Sequence, residues 1–170
     1  MFRKGSFVFK HDIVVCLVAA VAAPAAAQAS TVGTTMPVTS LTINACAVVA
    51  TPLVFGTLNQ FGGTPNDSQS TVVVTCTPGT VYDVGLDNGA HPAAGVRQMQ
   101  PVIGTGPIPY SLSSNAARTT AWGNTIGTNT VNGTAGLLPT TLTVYGRVPA
   151  NAPPVAANAY ADLVTVTVTF

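Results

Sequence analysis

Apolar and polar residues alternate along several short stretches of this 170-residue chain, most clearly at its end. In residues 163–170, LVTVTVTF, three valines and Phe170 share one parity and three threonines share the other. Side chains of a strand point alternately to its two faces, so this segment predicts a strand with one face in an apolar core. An open strand edge is a template for another chain. We therefore expect the outer edge of this strand, with Val164, Val166, Val168 and Phe170, to be paired by another molecule.

Other short apolar runs recur between clusters of glycine, proline, asparagine and aspartate, and no segment shows a sustained helical period. This spacing is typical of a β-sandwich. The polar, glycine-rich residues 124–139 are predicted to form a loop with at most one short edge strand. The fold class predicted is all-β, in a single sandwich. The predicted strands are residues 41–48, 53–58, 70–76, 81–86, 109–114, 140–148 and a terminal strand from about Tyr160.

Residues 31–40, TVGTTMPVTS, precede the first strand of this sandwich and have an apolar parity of their own. Val32, Thr34, Met36 and Val38 share that parity. Composition leaves two alternatives open, a disordered terminus or a strand that pairs elsewhere. The unpaired edge of the terminal strand favours the second, because a spare first strand and a missing last strand are complementary.

The first residues have the pattern of a secretory signal peptide. Basic residues precede an apolar run over residues 13–23, and small residues then offer cleavage sites after Ala27 or Ala29. About eleven apolar residues fall short of the roughly 20 needed to span a bilayer. The predicted organisation is a signal peptide over residues 1–27, an extension over residues 28–40 and one domain over residues 41–170.

Removal of the signal leaves three arginines, four aspartates and no lysine or glutamate, for a net charge near −1. These few charged residues form neither the basic stripe that nucleic-acid binding requires nor the cluster of cations that binds anionic membranes. Nucleic acid is therefore not expected as a partner, nor is membrane insertion after cleavage.

Candidate catalytic residues are few. His91 lies in a turn-rich stretch, LDNGAHPAAG, and is interpreted as a surface residue. Asp83 and Asp87 share one strand parity and are interpreted as solvated edge residues rather than paired acids. The scattered aromatic residues are assigned to core packing rather than to a sugar-binding platform. We expect no enzyme activity, cofactor or metal.

Two cysteines, Cys46 and Cys76, remain after cleavage. In an exported protein an even pair indicates a disulfide. Two cysteines without a nearby histidine would make a poor zinc site.

Several stretches, taken in order, resemble the spore coat protein U domain family, which includes subunits of archaic, Csu-type chaperone-usher pili. They are INACAV, LVFGTL, VVVTCTPGTVYDVGLDNG, VRQM, IPYSLSSNAARTTAWG, VYGRVP and AYADLVTVTVTF. The resemblance implies an immunoglobulin-like sandwich that lacks its last strand and is completed by donor-strand exchange. It assigns residues 31–40 as the donor strand, the strand ending at Phe170 as one border of the acceptor groove, and the carboxylate of Phe170 as the point that a chaperone grips.

The function implied by this resemblance is a structural pilus subunit that reaches the cell surface through the periplasm and serves adhesion and biofilm formation. Its expected partners are copies of itself or sibling subunits, a periplasmic chaperone and an outer-membrane usher. Two alternatives stay open, a secreted monomeric adhesive or sugar-binding module and a coat protein of a spore or cyst.

Overall fold

The computed structural model describes residues 31–58 and 62–170, which belong to two units. Residues 31–39, from the first unit, are exposed and without regular secondary structure. The second unit, Ser40–Phe170, is built of β-strands, and no helix occurs among the described residues. The all-β prediction is confirmed. The predicted signal peptide and both of its cleavage sites lie outside the described residues.

Nine strands form two antiparallel sheets in the described part of the chain. The larger sheet has the order β1-β2-β7-β5-β4-β8, and the smaller sheet has the order β6-β3-β9. In chain order the strands are β1 (Cys46–Ala50), β2 (Asn66–Cys76), β3 (Val81–Leu86), β4 (Arg97–Pro101), β5 (Ile108–Ser113), β6 (Val131–Thr134), β7 (Thr140–Val148), β8 (Tyr160–Ala161) and β9 (Val166–Thr169).

The core lies between these two sheets. The inward residues of β2 and β3 are almost fully buried, including Val72, Val74 and Val84. Trp122 is 1% exposed, and its indole N–H donates to the carbonyl of Val84 at 2.9 Å. Full burial of an aliphatic side chain stabilises a fold by about 1.5 to 3 kcal/mol. Burial of the alternate, inward residues of β2 and β3 therefore holds the two sheets together.

The observed strands differ from the predicted ones in four main places. The terminal strand predicted from about Tyr160 is divided into β8 in the larger sheet and β9 in the smaller sheet. Residues 53–58, predicted as a strand, form no regular backbone ladder with any described strand, because Pro52 lacks a donor and side-chain bonds from Ser68 and Asn66 of β2 hold the segment instead. The first strand begins at Cys46 rather than at residue 41. Strand β4 was not predicted, because its residues Arg97–Pro101, RQMQP, carry little apolar alternation. The short strand β6 is the edge strand allowed within residues 124–139.

Candidate functional site: an apolar cleft beside the terminal strand

Strand β9 lies at one edge of the smaller sheet and has β3 as its neighbour there. Thr165, just before β9, directs both backbone groups toward β3: its N–H donates to Asp87 Oδ1 at 2.9 Å, and its carbonyl accepts from the Asp87 N–H at 3.1 Å. Backbone groups of successive strand residues point in opposite directions within the sheet. The N–H and C=O groups of Val164, Val166 and Val168 therefore face the open edge, while their side chains turn toward the core.

Residues 51–58 form the wall opposite this edge. Thr51 donates its N–H to the carbonyl of Thr71 at 2.9 Å, and farther along the Ser68 hydroxyl donates to the carbonyl of Val54 at 2.5 Å. Beyond Thr51, hydrogen bonds from side chains of β2 thus replace the regular backbone ladder between β1 and β2. Leu53 and Phe55 pack over β7 at Gly146, where an added Cβ would meet Leu53 Cδ1 at 2.8 Å. Glycine at this position lets the wall lie close to the sheet.

Between the two walls lies a cleft with a volume of about 930 Å³. Its lining is mainly apolar and reaches the core between the sheets. Asp162 is the one charged residue among the described residues that line the cleft. The cleft includes Val164 and Val166 but not Val168. Strand β1 lies close to β9. The apolar lining residues include Leu53, Phe55, Leu86, Met99, Val164 and Val166.

A buried polar cluster closes the end of the cleft near Leu163. The side chain of Asp162 is 3% exposed, and its Oδ2 accepts a 2.6 Å hydrogen bond from the Tyr110 hydroxyl. Its Oδ1 accepts from the Ala90 N–H at 3.0 Å and lies 3.5 Å from His91 Nδ1. Burial, and then the hydrogen bond to Asp162, hold the pKa of Tyr110 well above its ordinary value of 10.0. Tyr110 therefore stays protonated and donates.

Arg97 joins the two sheets beside this cluster. It belongs to β4 of the larger sheet and is 7% exposed. Its guanidinium donates to the carbonyls of Leu86 and Asp87 at 2.8 Å each and to the carbonyl of Trp122 at 2.9 Å. Burial is the largest cause of a lowered pKa for Arg97, although a guanidinium stays charged in proteins. The guanidinium therefore holds the end of β3 against β4 at the cleft.

The other two arginines of the described residues lie on the outside of the sandwich. Arg147 of β7 forms a bidentate pair with Asp67 of β2, at 2.7 and 2.8 Å. Arg118 lies 3.3 Å from the same carboxylate and 5.7 Å from the centre of the Tyr145 ring. The hydrogen bond from Arg147 is the main cause of a lowered pKa for Asp67. Exposed pairs of this kind contribute little stability.

The predicted donor residues lie in residues 31–39, where all side chains are exposed. The exposed fractions of Val32, Met36 and Val38 are 98%, 81% and 83%, and Thr34 is exposed as well. The residues predicted on the receiving side lie at the open edge: Val164, Val166 and Val168 are partly buried, and Phe170 is 57% exposed.

Cys46 and Cys76 are joined by a disulfide with an S–S distance of 2.00 Å. The bond links β1 to β2 at residues that face each other across the ladder. It fixes the start of β1, from which the chain runs on into the wall at residues 51–58.

The candidate catalytic residues have structural surroundings. Asp83 accepts a bond from Thr130 Oγ1 at 2.8 Å, and Asp87 accepts from the N–H groups of Gly89 and Thr165. The interpretation of Asp87 as a solvated edge residue is therefore wrong. Asp87 is a turn residue inside the cluster. His91 is half exposed. The described residues contain no group of three metal-ligating side chains, and no helix among them is long and apolar enough to cross a bilayer.

Sequence reasoning missed the polar cluster. Its members are separated along the chain: Asp162 is 52 residues from Tyr110, and Arg97 reaches carbonyls 11 and 25 residues away. The family resemblance did contain a signal for the cluster. Four of the stretches that carry it each supply one member, within LDNG, VRQM, IPYS and AYAD.

Comparison with known proteins agrees with this fold. A family model for the Spore Coat Protein U domain matches residues 32–167. Protein U of Myxococcus xanthus is 36% identical over 103 residues, which is 57% of this chain and 56% of that protein. The chain thus spans little more than half the length of this curated relative.

A solved structure is also similar, the CsuC–CsuE chaperone–tip adhesion subunit pre-assembly complex from archaic chaperone-usher Csu pili of Acinetobacter baumannii. The TM-score is 0.58 and the identity 23%, over 75% of this chain and 40% of the matched chain. At this identity the likeness establishes the fold, an immunoglobulin-like sandwich. The family model covers most of the sequence, and the chain belongs to the Spore Coat Protein U domain family.

Proposed function

We propose that this protein is a structural subunit of a chaperone-usher pilus and that residues 31–40 of one copy fill the cleft of the next. One observation carries the proposal: an apolar cleft of about 930 Å³ borders Val164 and Val166, beside the edge of β9 that no described strand pairs. A strand placed there would join the smaller sheet beside β9 and cover the core. Such strand addition binds through main-chain hydrogen bonds and gains specificity from alternate side chains.

The tail has the dimensions and the polarity for this role. Ten strand residues span about 33 Å, more than the roughly 23 Å of the edge from Val164 to Phe170. The alternate residues Val32, Met36 and Val38 present an apolar face, and residues 31–40 carry no charge. Burial of a side chain of this size is worth about 1.5 to 3 kcal/mol, so two or three of them supply substantial binding energy.

The partners follow from the open edge. Before assembly, the exposed edge and cleft would need cover against aggregation. We propose that a periplasmic chaperone supplies it, gripping the carboxylate of Phe170, and that an outer-membrane usher then delivers the subunit to the cell surface. The likeness to a chaperone–subunit complex supports this route. The finished pilus would serve adhesion and biofilm formation and would have a structural rather than a catalytic role.

A coat protein of a spore or cyst is the second candidate, because the family model carries that description. The same cleft and tail would polymerise the subunits in either setting. Electron microscopy of the secreted assembly separates the two, since a pilus gives extended fibres and a coat gives a layer on the cell. The third possibility, a monomeric sugar-binding module, has less support, because Tyr82, Tyr110 and Trp122 are buried in the core.

Substitution of Met36 by glutamate tests the proposal. A charge in the apolar cleft carries a large desolvation cost, so cells that produce Met36→Glu should secrete no fibres, although the sandwich still folds with its chaperone. Thr35→Glu places the same charge on the opposite parity and should leave fibres visible by electron microscopy. Equal loss in both variants, or normal fibres in both, contradicts the assignment of the tail as donor strand.

A further inference from the structure

The open edge of β9 restricts which tail residues can bond to it. The backbone groups that face outward belong to the even-numbered residues 164, 166 and 168, because Thr165 directs its own toward β3. Every ladder in the described residues is antiparallel. At a hydrogen-bonded position of an antiparallel pair, the two opposite residues both direct their backbone N–H and C=O groups toward the partner strand.

The tail contains one residue that cannot donate, Pro37. Proline in a strand is tolerated where its missing N–H faces away from the neighbouring strand. If the even-numbered tail residues bond to β9, Pro37 faces away from it, and the side chains of Met36 and Val38 point into the cleft. The position of Pro37 and the alternation of apolar residues therefore both indicate that the even-numbered tail residues bond to β9.

The polarity of the cleft then selects among the registers that remain. Asp162 is the one charged residue among the described residues that line it and lies at the end near Leu163. An ionised carboxylate can accept about four hydrogen bonds. Two are accepted here, from the Tyr110 hydroxyl and the Ala90 N–H, and His91 Nδ1 lies 3.5 Å from Oδ1. A hydroxyl on the incoming strand would supply a further hydrogen bond, and Ser40 has the inward parity.

Resting on the proposed function, we infer that the tail enters antiparallel to β9 with Ser40 of the neighbouring copy level with Asp162. In this register Val38 lies level with Val164 and Met36 with Val166, so both larger apolar side chains enter the cleft. The smaller Thr34 falls level with Val168, which does not line the cleft. Ser40 donates to the Asp162 carboxylate and fixes the register.

The two nearest registers of the same parity fit less well. A shift of two residues in one direction places Val38 over the buried carboxylate and Thr34 in the cleft beside Val166. The opposite shift places Ser40 level with Val164 in the apolar cleft and Met36 level with Val168, outside its lining. Each shift leaves a polar group without a partner or a large apolar group outside the cleft, and both cost binding energy.

Cysteine pairs in assembled fibres report this register directly. Thr35→Cys combined with Thr167→Cys should form a disulfide between adjacent subunits, because level residues have Cβ atoms about 4.5 to 5.5 Å apart. Thr35→Cys combined with Thr165→Cys or with Thr169→Cys reports the two shifted registers, and we expect roughly tenfold less cross-linking there, since diagonal residues lie about 7 to 8 Å apart. Cross-linking is read as ladders on non-reducing gels.

A second pair, Thr39→Cys with Leu163→Cys, fixes the direction of the tail, because only an antiparallel tail brings both pairs together. Dominant cross-linking in a shifted pair, or failure of this second pair, overturns the register and leaves the pilus assignment intact. Failure of the unmodified chain to form fibres contradicts the pilus assignment, and the register with it.

The contact between Ser40 and Asp162 has its own measurement. A fluorescent peptide of residues 31–40 is added to the subunit held by its chaperone, and its capture is followed by gel filtration. Ser40→Ala in the peptide should weaken binding by about tenfold or more, as expected for a hydrogen bond to a charged group. Ser40→Thr should retain binding, and Thr39→Ala is the control of opposite parity. Unchanged binding of the Ser40→Ala peptide contradicts the contact.

Discussion

Substitution of Arg97 by methionine should destabilise the sandwich far more than loss of an arginine on its surface. The test uses a self-complemented chain, in which residues 31–40 are removed from the N-terminus and a copy is attached after Phe170 by a short turn. Linked in this way, the strand gains effective concentration and docks within its own molecule. Unfolding can then be measured on a monomer.

The magnitude follows from the bonds that Arg97 makes. Its guanidinium donates to three carbonyls, those of Leu86, Asp87 and Trp122, at 2.8 to 2.9 Å. Methionine fills much of the volume and donates nothing, and each buried acceptor left unsatisfied costs about 1 to 3 kcal/mol. We expect a loss of about 3 to 5 kcal/mol from a typical total of about 5 to 15.

Urea unfolding followed by tryptophan fluorescence measures this loss, since Trp122 is buried beside the guanidinium. With an m-value of about 1.5 kcal/mol/M, the midpoint of Arg97→Met should fall by about 2 M or more. Arg147→Met is the matched control. It removes an exposed pair with Asp67 and should cost about 0.2 to 1 kcal/mol. Equal midpoints for the two variants, or a loss below about 1 kcal/mol for Arg97→Met, refute the role given to Arg97.

Three further predictions concern the same self-complemented chain. Cys46→Ser opens a loop with a sequence separation of 30 residues and should lower the free energy of unfolding by about 3 to 4 kcal/mol in urea. Gly146→Ala would bring a Cβ within 3.0 Å of Phe55 Cζ, so displacement of the cleft wall should lower the melting temperature, whereas Gly136→Ala, with open space around it, should leave it unchanged. Burial raises the pKa of Asp87, but amide hydrogen bonds hold it below its ordinary value of 3.8; stability should therefore be complete above about pH 5 and fall as pH drops through the folded-state pKa, less steeply in Asp87→Asn.

The alternation in residues 163–170 predicted the terminal strand and its inward face, because period-2 burial depends on the local sequence. The disulfide pair was equally open to prediction, since Cys46 and Cys76 are the two cysteines that follow the predicted signal peptide. Residues 53–58 have the apolar composition of a strand, yet they are not paired in the described structure. A sequence pattern reports which residues favour a sheet and does not report which molecule supplies the partner.

The buried cluster around Arg97 could not be predicted from local pattern. Nothing near Arg97 in the sequence indicates burial, because its acceptors are backbone carbonyls that the fold alone brings to it. The hydrogen bond between Tyr110 and Asp162 likewise joins residues that are 52 positions apart in the sequence. Such contacts depend on topology, which the alternation of apolar residues leaves undetermined.

The melting behaviour of the self-complemented chain tests most directly whether the fold is completed by another molecule. We predict a soluble monomer that unfolds cooperatively without a chaperone and forms no fibres, whereas the unmodified mature chain, expressed alone, aggregates and shows no cooperative transition. A stable, cooperatively folding monomer from the unmodified chain, with no gain in melting temperature from the attached strand, would contradict the account.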